Sequence, residues 1–345
     1  MKAALLGPGR VELRDLPEPS AARHEIVVRM RACGICATDL EKVRGHYSAT
    51  GKIGHEPVGV VHRVGEGVPS LREGMRVFVH HHVPCYGCEV CRIGAYTYCP
   101  QYQRTNIDPG GFSEFFLVPH ENVSRGAVVS LPEHLADAEA TLIEPLACCV
   151  EALRATPFAP GQSALVVGLG PVGLLYARLL RASGASRVYG ADLSPFRREA
   201  GLRSGVDVVY DPRRPAETME SEGGLDASGS FEVDLAVVAT GSPTAVTEGY
   251  RHLRRGATLN LFGLPARGSR LEIDLQELYL RGIRVLPTYA TTERGTGEAL
   301  ALLSSGRVRG RDLITHQFPL TEVTEAFDQA SRTEDTLKVV VTGEE

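Results

Sequence analysis

Several absences narrow what this chain can be. No apolar run in its 345 residues reaches the roughly 20 residues that a membrane-spanning helix needs, so no membrane partner is expected. Lys and Arg number 37 against 42 Asp and Glu, and a net charge of −5 argues against a nucleic-acid partner, which would favour a basic surface. Tryptophan is absent and aromatic residues make up only 6%. The N-terminal residues become polar too early for a signal peptide, which predicts a cytoplasmic protein.

The rest of the composition is that of an ordinary globular protein, with 43% apolar and 23% charged residues. A chain of 345 residues exceeds the usual size of one hydrophobic core, which predicts two domains. In a long chain without a signal peptide, clustered cysteines favour metal binding over disulfides. The eight cysteines are Cys33, Cys36, Cys85, Cys88, Cys91, Cys99, Cys148 and Cys149.

Four of these cysteines have the spacing of a closed metal site. Cys85, Cys88, Cys91 and Cys99 lie within fifteen residues of one another. Four thiolates complete a tetrahedron around one Zn²⁺, with each sulfur at about 2.3 Å from the metal. Because no position remains for a substrate, the cluster predicts a structural zinc site.

Three further segments supply residues for a second, open metal site. They carry Cys36, the adjacent pair His55 and Glu56, and Glu144. A thiolate, an imidazole and a carboxylate can bind zinc and leave a position for water or substrate, as in catalytic sites. Spacing alone leaves another interpretation open, in which Cys36 is a core residue, His55 a turn residue and Glu144 a carboxylate at a helix start.

The run His80–His82 also suggests metal binding, but we set it aside. It falls at the end of a predicted strand, Met75–His82. Alternating residues of a strand point to opposite faces, so the three imidazoles cannot all face one ion.

The pattern of apolar residues divides the chain into two parts. Over the first 150 residues, short β-like runs separated by glycine and proline turns predict an irregular, mostly β domain, which ends in a helix over Ala138–Ala155. From Ser163 onward, continuous apolar strands alternate with helices, which is typical of a parallel sheet. The sequence therefore predicts an α/β fold.

A glycine-rich loop lies at the start of the second part. The motif Gly168-Leu169-Gly170-Pro171-Val172-Gly173 follows the predicted strand Ser163–Val167 and precedes the predicted helix Leu174–Ser183. In such a loop the backbone approaches a pyrophosphate, which binds at the helix N-terminus. The context therefore predicts a dinucleotide site.

Two residues beyond the loop bear on which dinucleotide binds. Asp192, at the end of the next predicted strand, is placed to accept hydrogen bonds from the adenosine ribose. Its negative charge would repel a 2′-phosphate, which favours NAD over NADP. Arg197 lies five residues further on and would soften that preference.

Taken together, the chain resembles the zinc-dependent medium-chain dehydrogenase/reductases, in the branch that includes sorbitol (polyol) and threonine dehydrogenases. The matching segments occur in the family order and are Gly34–Asp39, Gly54–Gly59, the four-cysteine lobe, Gly110–Phe115, Glu144–Leu146 and the glycine loop with Asp192. The resemblance implies a GroES-like, mostly β catalytic domain at residues 1–152, with a structural zinc lobe at about 84–100. A Rossmann domain with a doubly wound parallel sheet would occupy 153–288, and 289–345 would complete the catalytic domain.

The resemblance also implies a ligand set for the catalytic zinc. Cys36 and His55 would bind the metal directly. Glu56 would bind it directly or by exchange with water, and Glu144, at the third ligand position of this branch, would bind directly or through water. Asp39 would orient His55 through the other ring nitrogen.

The remaining roles are implied in the same way. Thr38 would accept the alcohol proton. Glu41 stands where alcohol dehydrogenases carry a relay histidine, which leaves Glu56, a water molecule or His46 to complete the relay. The substrate residues implied are Tyr47, Phe112 and Tyr289.

The function implied is hydride transfer between NAD(H) and a secondary alcohol or ketone of a polyol or sugar-like substrate. The enzyme would use NAD and two zinc ions per chain, and would form a homodimer or homotetramer. The alternatives are a dehydrogenase of amino alcohols such as threonine or an aminocyclitol, and a carbonyl reductase of the same fold. A non-enzymatic dinucleotide-binding protein would have no physical reason to keep this ligand set.

Overall fold

The computed structural model describes residues 1–46, 52–215, 220–221 and 231–344. The chain divides into two compact units. Unit 1 consists of Met1–Ala147, Ala290–Arg332 and Lys338–Glu345, and unit 2 of Cys148–Tyr289 and Thr333–Leu337. No helix among the described residues has both the length and the apolar character needed to cross a membrane.

Strands are the main elements of unit 1 and form the central sheet of unit 2. They are β1 Lys2–Gly7, β2 Arg10–Asp15, β3 Ile26–Gly34, β4 Pro57–Val64, β5 Arg76–Val79, β6 Phe115–Val118, β7 Val128–Ser130, β8 Ser163–Val167, β9 Arg187–Ala191, β10 Val208–Tyr210, β11 Glu220–Ser221, β12 Val233–Val238, β13 Leu253–Leu261, β14 Arg284–Pro287, β15 Ile314–Pro319 and β16 Lys338–Thr342.

The helices of the described residues range from four to thirteen residues in length. They are α1 Ala37–Val43, α2 Glu89–Arg92, α3 Pro100–Arg104, α4 His120–Ser124, α5 Asp137–Ala140, α6 Ile143–Ala155, α7 Pro171–Ala182, α8 Pro195–Arg203, α9 Pro243–Arg251, α10 Leu275–Arg281, α11 Glu293–Ser304 and α12 Val323–Ala330.

The main sheet of unit 1 brings distant parts of the sequence together. Its described strands have the order β15-β16-β3-β4-β5-β7, with β6 also paired to β3. The register places Cys33, near the end of β3, opposite Pro57 at the start of β4 and opposite Val341 in β16. The end of β3 therefore lies between the start of β4 and the middle of β16, and the Ile35 N–H that follows β3 donates to the Val339 carbonyl.

Unit 2 is built around a sheet with the order β11-β10-β9-β8-β12-β13-β14. All pairings are parallel except that of β11 with β10. Without β11, this is the 3-2-1-4-5-6 order of dinucleotide-binding sheets, in which the ligand binds where the order reverses. The reversal lies between β8 and β12, so the glycine loop that follows β8 is at the switch point.

The α/β fold class predicted from the sequence is confirmed, but two local predictions are wrong. The helix predicted over Ala138–Ala155 is broken into α5 and α6. Pro145 has no N–H to give to the carbonyl of Thr141, and its ring would clash with that group, so the helix restarts at Ile143.

The strand predicted over Met75–His82 ends instead at Val79. The side-chain amide of Asn122 donates hydrogen bonds of 3.0 Å to the carbonyls of both His80 and His81. Because these carbonyls bond to a side chain, they do not continue the hydrogen bonding of the sheet. His80–His82 are therefore not strand residues, and the argument from alternating strand faces does not apply to them.

Candidate metal centres and dinucleotide site

The four cysteines of the lobe form a compact group in unit 1. All four sulfurs lie within 4.8 Å of one another. Individual Sγ–Sγ distances are 3.6 Å for Cys85–Cys99, 3.8 Å for Cys88–Cys99 and 4.0 Å for Cys85–Cys91. Sulfurs at about 2.3 Å from a tetrahedral zinc are separated by about 3.8 Å. The spacing of the thiols therefore fits a closed zinc site.

Backbone geometry prepares the lobe for this role. Tyr86 adopts a left-handed φ of 57°, which turns the chain back over Cys85. The N–H groups of Gly87 and Cys88 then lie 3.4 and 3.3 Å from the Cys85 sulfur. These N–H groups lower the pKa of Cys85 to about 6 and so favour the thiolate that a metal binds.

A second group contains Cys36, His55 and Glu56, again with ligand atoms within 4.8 Å of one another. Cys36 precedes α1, and the other two residues immediately precede β4. The strand register described above explains why residues about twenty positions apart meet here. A thiolate, an imidazole and a carboxylate leave an open position on a tetrahedral metal.

Asp39 fixes the orientation of His55. Its Oδ1 lies 3.3 Å from His55 Nδ1 and accepts a hydrogen bond from the Gly54 N–H, also at 3.3 Å. Its Oδ2 accepts from the Cys36 N–H at 3.2 Å. With Nδ1 held by Asp39, the ring offers Nε2 as its metal-binding atom.

The electrostatics of the group favour positive charge. Burial opposes a charge on the His55 ring, but the neighbouring Asp39 carboxylate and Cys36 thiol raise the pKa of His55 well above its ordinary value. A bound dication would supply the positive charge that these anionic neighbours attract.

Glu56 gives the clearest indication that a cation belongs here. The side chain is fully buried, and its Oε1 has no hydrogen-bond donor among the described residues. Its Oε2 forms an ion pair with the buried ammonium of Lys338. A buried carboxylate with one oxygen left without a donor fits a metal ligand.

Lys338 is the functional-site residue that the sequence reasoning missed. It starts β16 and is 3% exposed. Burial alone would lower its pKa, but Glu56, Cys36 and Glu144 together raise the pKa of Lys338 above its ordinary value. The signal was a lysine directly before the apolar run Val339–Val341, where a strand surface would be expected to be uncharged.

Glu144 lies in the same region but outside the compact ligand group. It is buried at the start of α6, and its charge acts on Lys338. The close group consists of Cys36, His55 and Glu56, and Glu144 lies outside this group. Thr38 is nearer, with Oγ1 3.7 Å from Cys36 Sγ.

The structure gives a different outcome for each of the three predicted substrate residues. Tyr47 lies outside the described residues. Phe112 is 1% exposed and packs edge-to-face on Phe327 in the core of unit 1, so its ring has no open surface for a substrate. Tyr289 is half-buried at the end of unit 2, two residues after β14.

The glycine loop of unit 2 has the geometry of a dinucleotide site. Gly168 has a φ of 95°, which favours glycine. A Cβ on Gly173 would lie 1.9 Å from the Gly168 carbonyl oxygen, so only glycine permits this close packing of loop and helix. Gly170 caps α7, with Pro171 at its first position and Val172 next. The first turn of α7 is thus available to a pyrophosphate.

Asp192 and Arg197 lie next to this loop. Asp192 accepts hydrogen bonds from the Leu169 N–H at 2.7 Å and the Ser194 N–H at 2.8 Å, which fix its carboxylate beside the loop. The Arg197 guanidinium lies 3.7 Å from the point where a Cβ on Gly170 would be. Its Nε is enclosed without a partner among the described residues, as expected of a side chain that awaits an anion.

Comparisons with known proteins agree with this organisation. Residues 22–132 match the alcohol dehydrogenase GroES-like domain, and residues 171–305 match the zinc-binding dehydrogenase model. Sorbitol dehydrogenase of Bacillus subtilis is 30% identical over 99% of this chain and 97% of its own. L-threonine 3-dehydrogenase of Pyrococcus abyssi is 32% identical, covering 94% of this chain and 92% of its own.

A solved structure extends the comparison to the fold. A Sinorhizobium meliloti 1021 protein bound to NADP superposes with a TM-score of 0.87 at 25% identity, covering 99% of this chain and 98% of that one. The family models, the full-length relatives and the two metal-ligand groups lead to one conclusion: this chain belongs to the zinc-dependent medium-chain dehydrogenase/reductases.

Proposed function

We propose that this protein oxidises a secondary alcohol of a polyol or sugar-like substrate with NAD, and reduces the corresponding ketone in the reverse direction. The observation that carries the proposal is the open ligand group of Cys36, His55 and Glu56, in which one oxygen of a buried carboxylate has no hydrogen-bond donor among the described residues. Relatives named for sorbitol, D-xylulose and D-arabinitol support the substrate class.

Several residues of unit 1 have separate roles in the open metal site. Zinc, when bound, supplies a Lewis acid that polarises the substrate oxygen. Cys36, His55 and Glu56 hold it, and Asp39 keeps the His55 ring in orientation. Thr38, whose hydroxyl is 3.7 Å from the Cys36 sulfur, accepts the hydroxyl proton of the substrate and passes its own proton on to a relay group.

The residues of unit 2 bind and orient the cofactor. The backbone of Gly168, Gly170 and Gly173, with Pro171 and Val172 in the first turn of α7, takes the pyrophosphate. The Asp192 carboxylate takes the ribose hydroxyls and selects NAD. Arg197 adds a cation beside the pyrophosphate. Among the predicted substrate residues, Tyr289 and Tyr47 remain in the proposal and Phe112 is withdrawn.

We propose a reducing compartment, the cytoplasm, because two sites that depend on free thiols need protection from oxidation. We also propose a homodimer. The edge strand β14 and the neighbouring helix α10 expose Leu275, Tyr279, Leu280 and Val285. β14 ends the order of described strands, and an open apolar edge is stable when it pairs with another chain.

The test is a substrate screen on zinc-replete protein, followed by NADH absorbance. The panel contains polyols, sugars, cyclitols and threonine-like amino alcohols, each with NAD and NADP and each with and without a chelator. We expect turnover of polyols with NAD that is lost on chelation. If only amino alcohols were turned over, amino alcohols would replace polyols as the proposed substrates. Turnover of polyols that survives complete removal of zinc would overturn the role of the open site.

A further inference from the structure

Three histidines in unit 1 form a buried row beside the open metal group. The histidine row, His80–His82, follows β5. His81 is the central ring, with its centroid 4.0 Å from that of His82 and 5.2 Å from that of His80. It also lies 5.2 Å from the ring of His55. His81 is therefore the member of the row that contacts a proposed metal ligand.

The hydrogen bonds of the row single out the same residue. His82 donates a hydrogen bond from Nδ1 to the Thr105 carbonyl, so its ring has a partner within unit 1. His80 is fully buried, and its ring has a backbone hydrogen-bond partner in Thr291. His81 is 9% exposed, and its Nδ1 is enclosed without a partner, whereas its Nε2 is not among the enclosed atoms. Neither nitrogen of His81 has a hydrogen-bond partner among the described residues.

An additional metal site does not explain this arrangement. Among the described residues, the groups of three or more potential ligands are the four-cysteine cluster and the set of Cys36, His55 and Glu56. His81 belongs to neither group. Core packing does not explain it either, because burying an imidazole without partners is unfavourable and an apolar side chain would fill the same space.

We propose that His81 is a substrate-binding residue, whose Nε2 forms a hydrogen bond with a polar substituent on the carbon next to the one that is oxidised. The proposal rests on the proposed function and narrows its substrates to vicinal diols and related compounds. The ring of His81 lies beside that of His55, and its Nε2 is not enclosed, so this nitrogen is available to a substrate that reaches the open metal group. A site built to bind a hydroxyl rejects the analogue without it, since the buried ring would remain unpaired.

The experiment compares two substrates of equal chain length, butane-2,3-diol and butan-2-ol. The measured quantity is the ratio of their kcat/KM values. For His81→Phe we expect this ratio to fall by about tenfold, the scale of one lost hydrogen bond, with butan-2-ol little affected. His81→Asn retains a donor and an acceptor and should recover part of the ratio.

His80→Phe is the control, because His80 is a buried member of the same row whose ring contacts are with His81 and Tyr102. It should leave the ratio unchanged. Zinc content and far-UV circular dichroism identify variants that have lost the metal or the fold, and His81→Asn keeps the test valid if His81→Phe does not fold. An unchanged ratio in folded, zinc-loaded His81 variants, or an equal loss on both substrates, would overturn the proposal. Absence of chelator-sensitive turnover in the unmodified protein would instead overturn the proposed function.

Discussion

The pair formed by Glu56 and Lys338 is the most consequential contact at the level of single residues. Both side chains are almost completely buried, and Lys338 is the cation that faces the Glu56 carboxylate. Breaking a buried ion pair by removing one partner leaves an uncompensated charge. The pair therefore gives the buried carboxylate a charged partner inside unit 1.

Lys338→Met should therefore destabilise unit 1 by about 3–5 kcal/mol in chelator-treated protein. Added zinc should stabilise this variant more than the unmodified protein, because the metal would supply the missing positive charge. The measurement is urea unfolding followed by circular dichroism, with and without zinc. The double variant Glu56→Gln/Lys338→Met is the control and should regain most of the loss. If it is as unstable as Lys338→Met, pairing of the two charges is not the contribution of Lys338.

The same pair has a defined pH dependence. The pKa of Lys338 is raised in the folded protein, above its ordinary value of 10.5. A raised lysine pKa gives stability that is fully present below pH 10.5 and is lost as the pH rises through the folded value. We expect the difference in stability between the unmodified protein and Lys338→Met to be constant from neutral pH to about 10 and to shrink only at more alkaline pH.

Gly34 permits this pair to form. A Cβ at this position would lie 2.0 Å from Glu56 Oε2 and 2.7 Å from Lys338 Cε. Gly34→Ala should therefore lower stability by roughly 1–3 kcal/mol and weaken zinc retention. Gly297→Ala is the matched control, since Gly297 is an exposed position of α11 with nothing within 4 Å, and should stabilise by about 0.5–1 kcal/mol. Thermal unfolding and zinc content distinguish the two; a neutral Gly34→Ala would contradict the packing argument.

Among the elements, the two metal groups are formed by separate parts of unit 1. One lies within a single segment around α2, and the other joins the end of β3 to the start of β4. Segments that fold separately should also bind metal separately.

Metal counting tests this independence. The unmodified protein should hold two zinc ions per chain. Cys36→Ser and Cys88→Ser should each hold one, and the double variant none, as measured by elemental analysis after gel filtration. Only Cys36→Ser should lose turnover directly, because the cysteine lobe leaves no open position. Loss of both ions in either single variant would show that the two sites depend on each other.

The elements also show which features of the fold could be predicted from the sequence. The glycine loop and the cysteine lobe were predicted because all their determinants lie within a short segment. Element ends were predicted less well. Asn122 terminates β5 through a tertiary contact, and Pro145, a local signal, divides a helix whose apolar spacing continues. Lys338 was missed because its partner is about 280 residues away, and only the strand register brings the two together.

For the whole molecule, the exposed apolar surface of unit 2 leads to a prediction about assembly. Tyr279 is 83% exposed and Leu275 76% exposed on α10, next to the edge strand β14. A two-fold axis beside such a strand pairs it with its own copy, which continues the sheet and buries both apolar faces. A stable interface of this kind removes about 1,200–2,000 Å² from water, so one charge at its centre should be enough to break it.

If the proposed dimer forms through this edge, Val285→Lys should convert it into a monomer, because the change would bury an ammonium group in each copy of the pairing edge. The measurement is light scattering coupled to gel filtration at several protein concentrations. Ile93→Lys is the control: Ile93 is 81% exposed on the cysteine lobe, so the change introduces the same charge at another exposed apolar position and should leave the mass unchanged. If Ile93→Lys dissociates the protein and Val285→Lys does not, the chains associate through the lobe and the open edge of the sheet has another explanation.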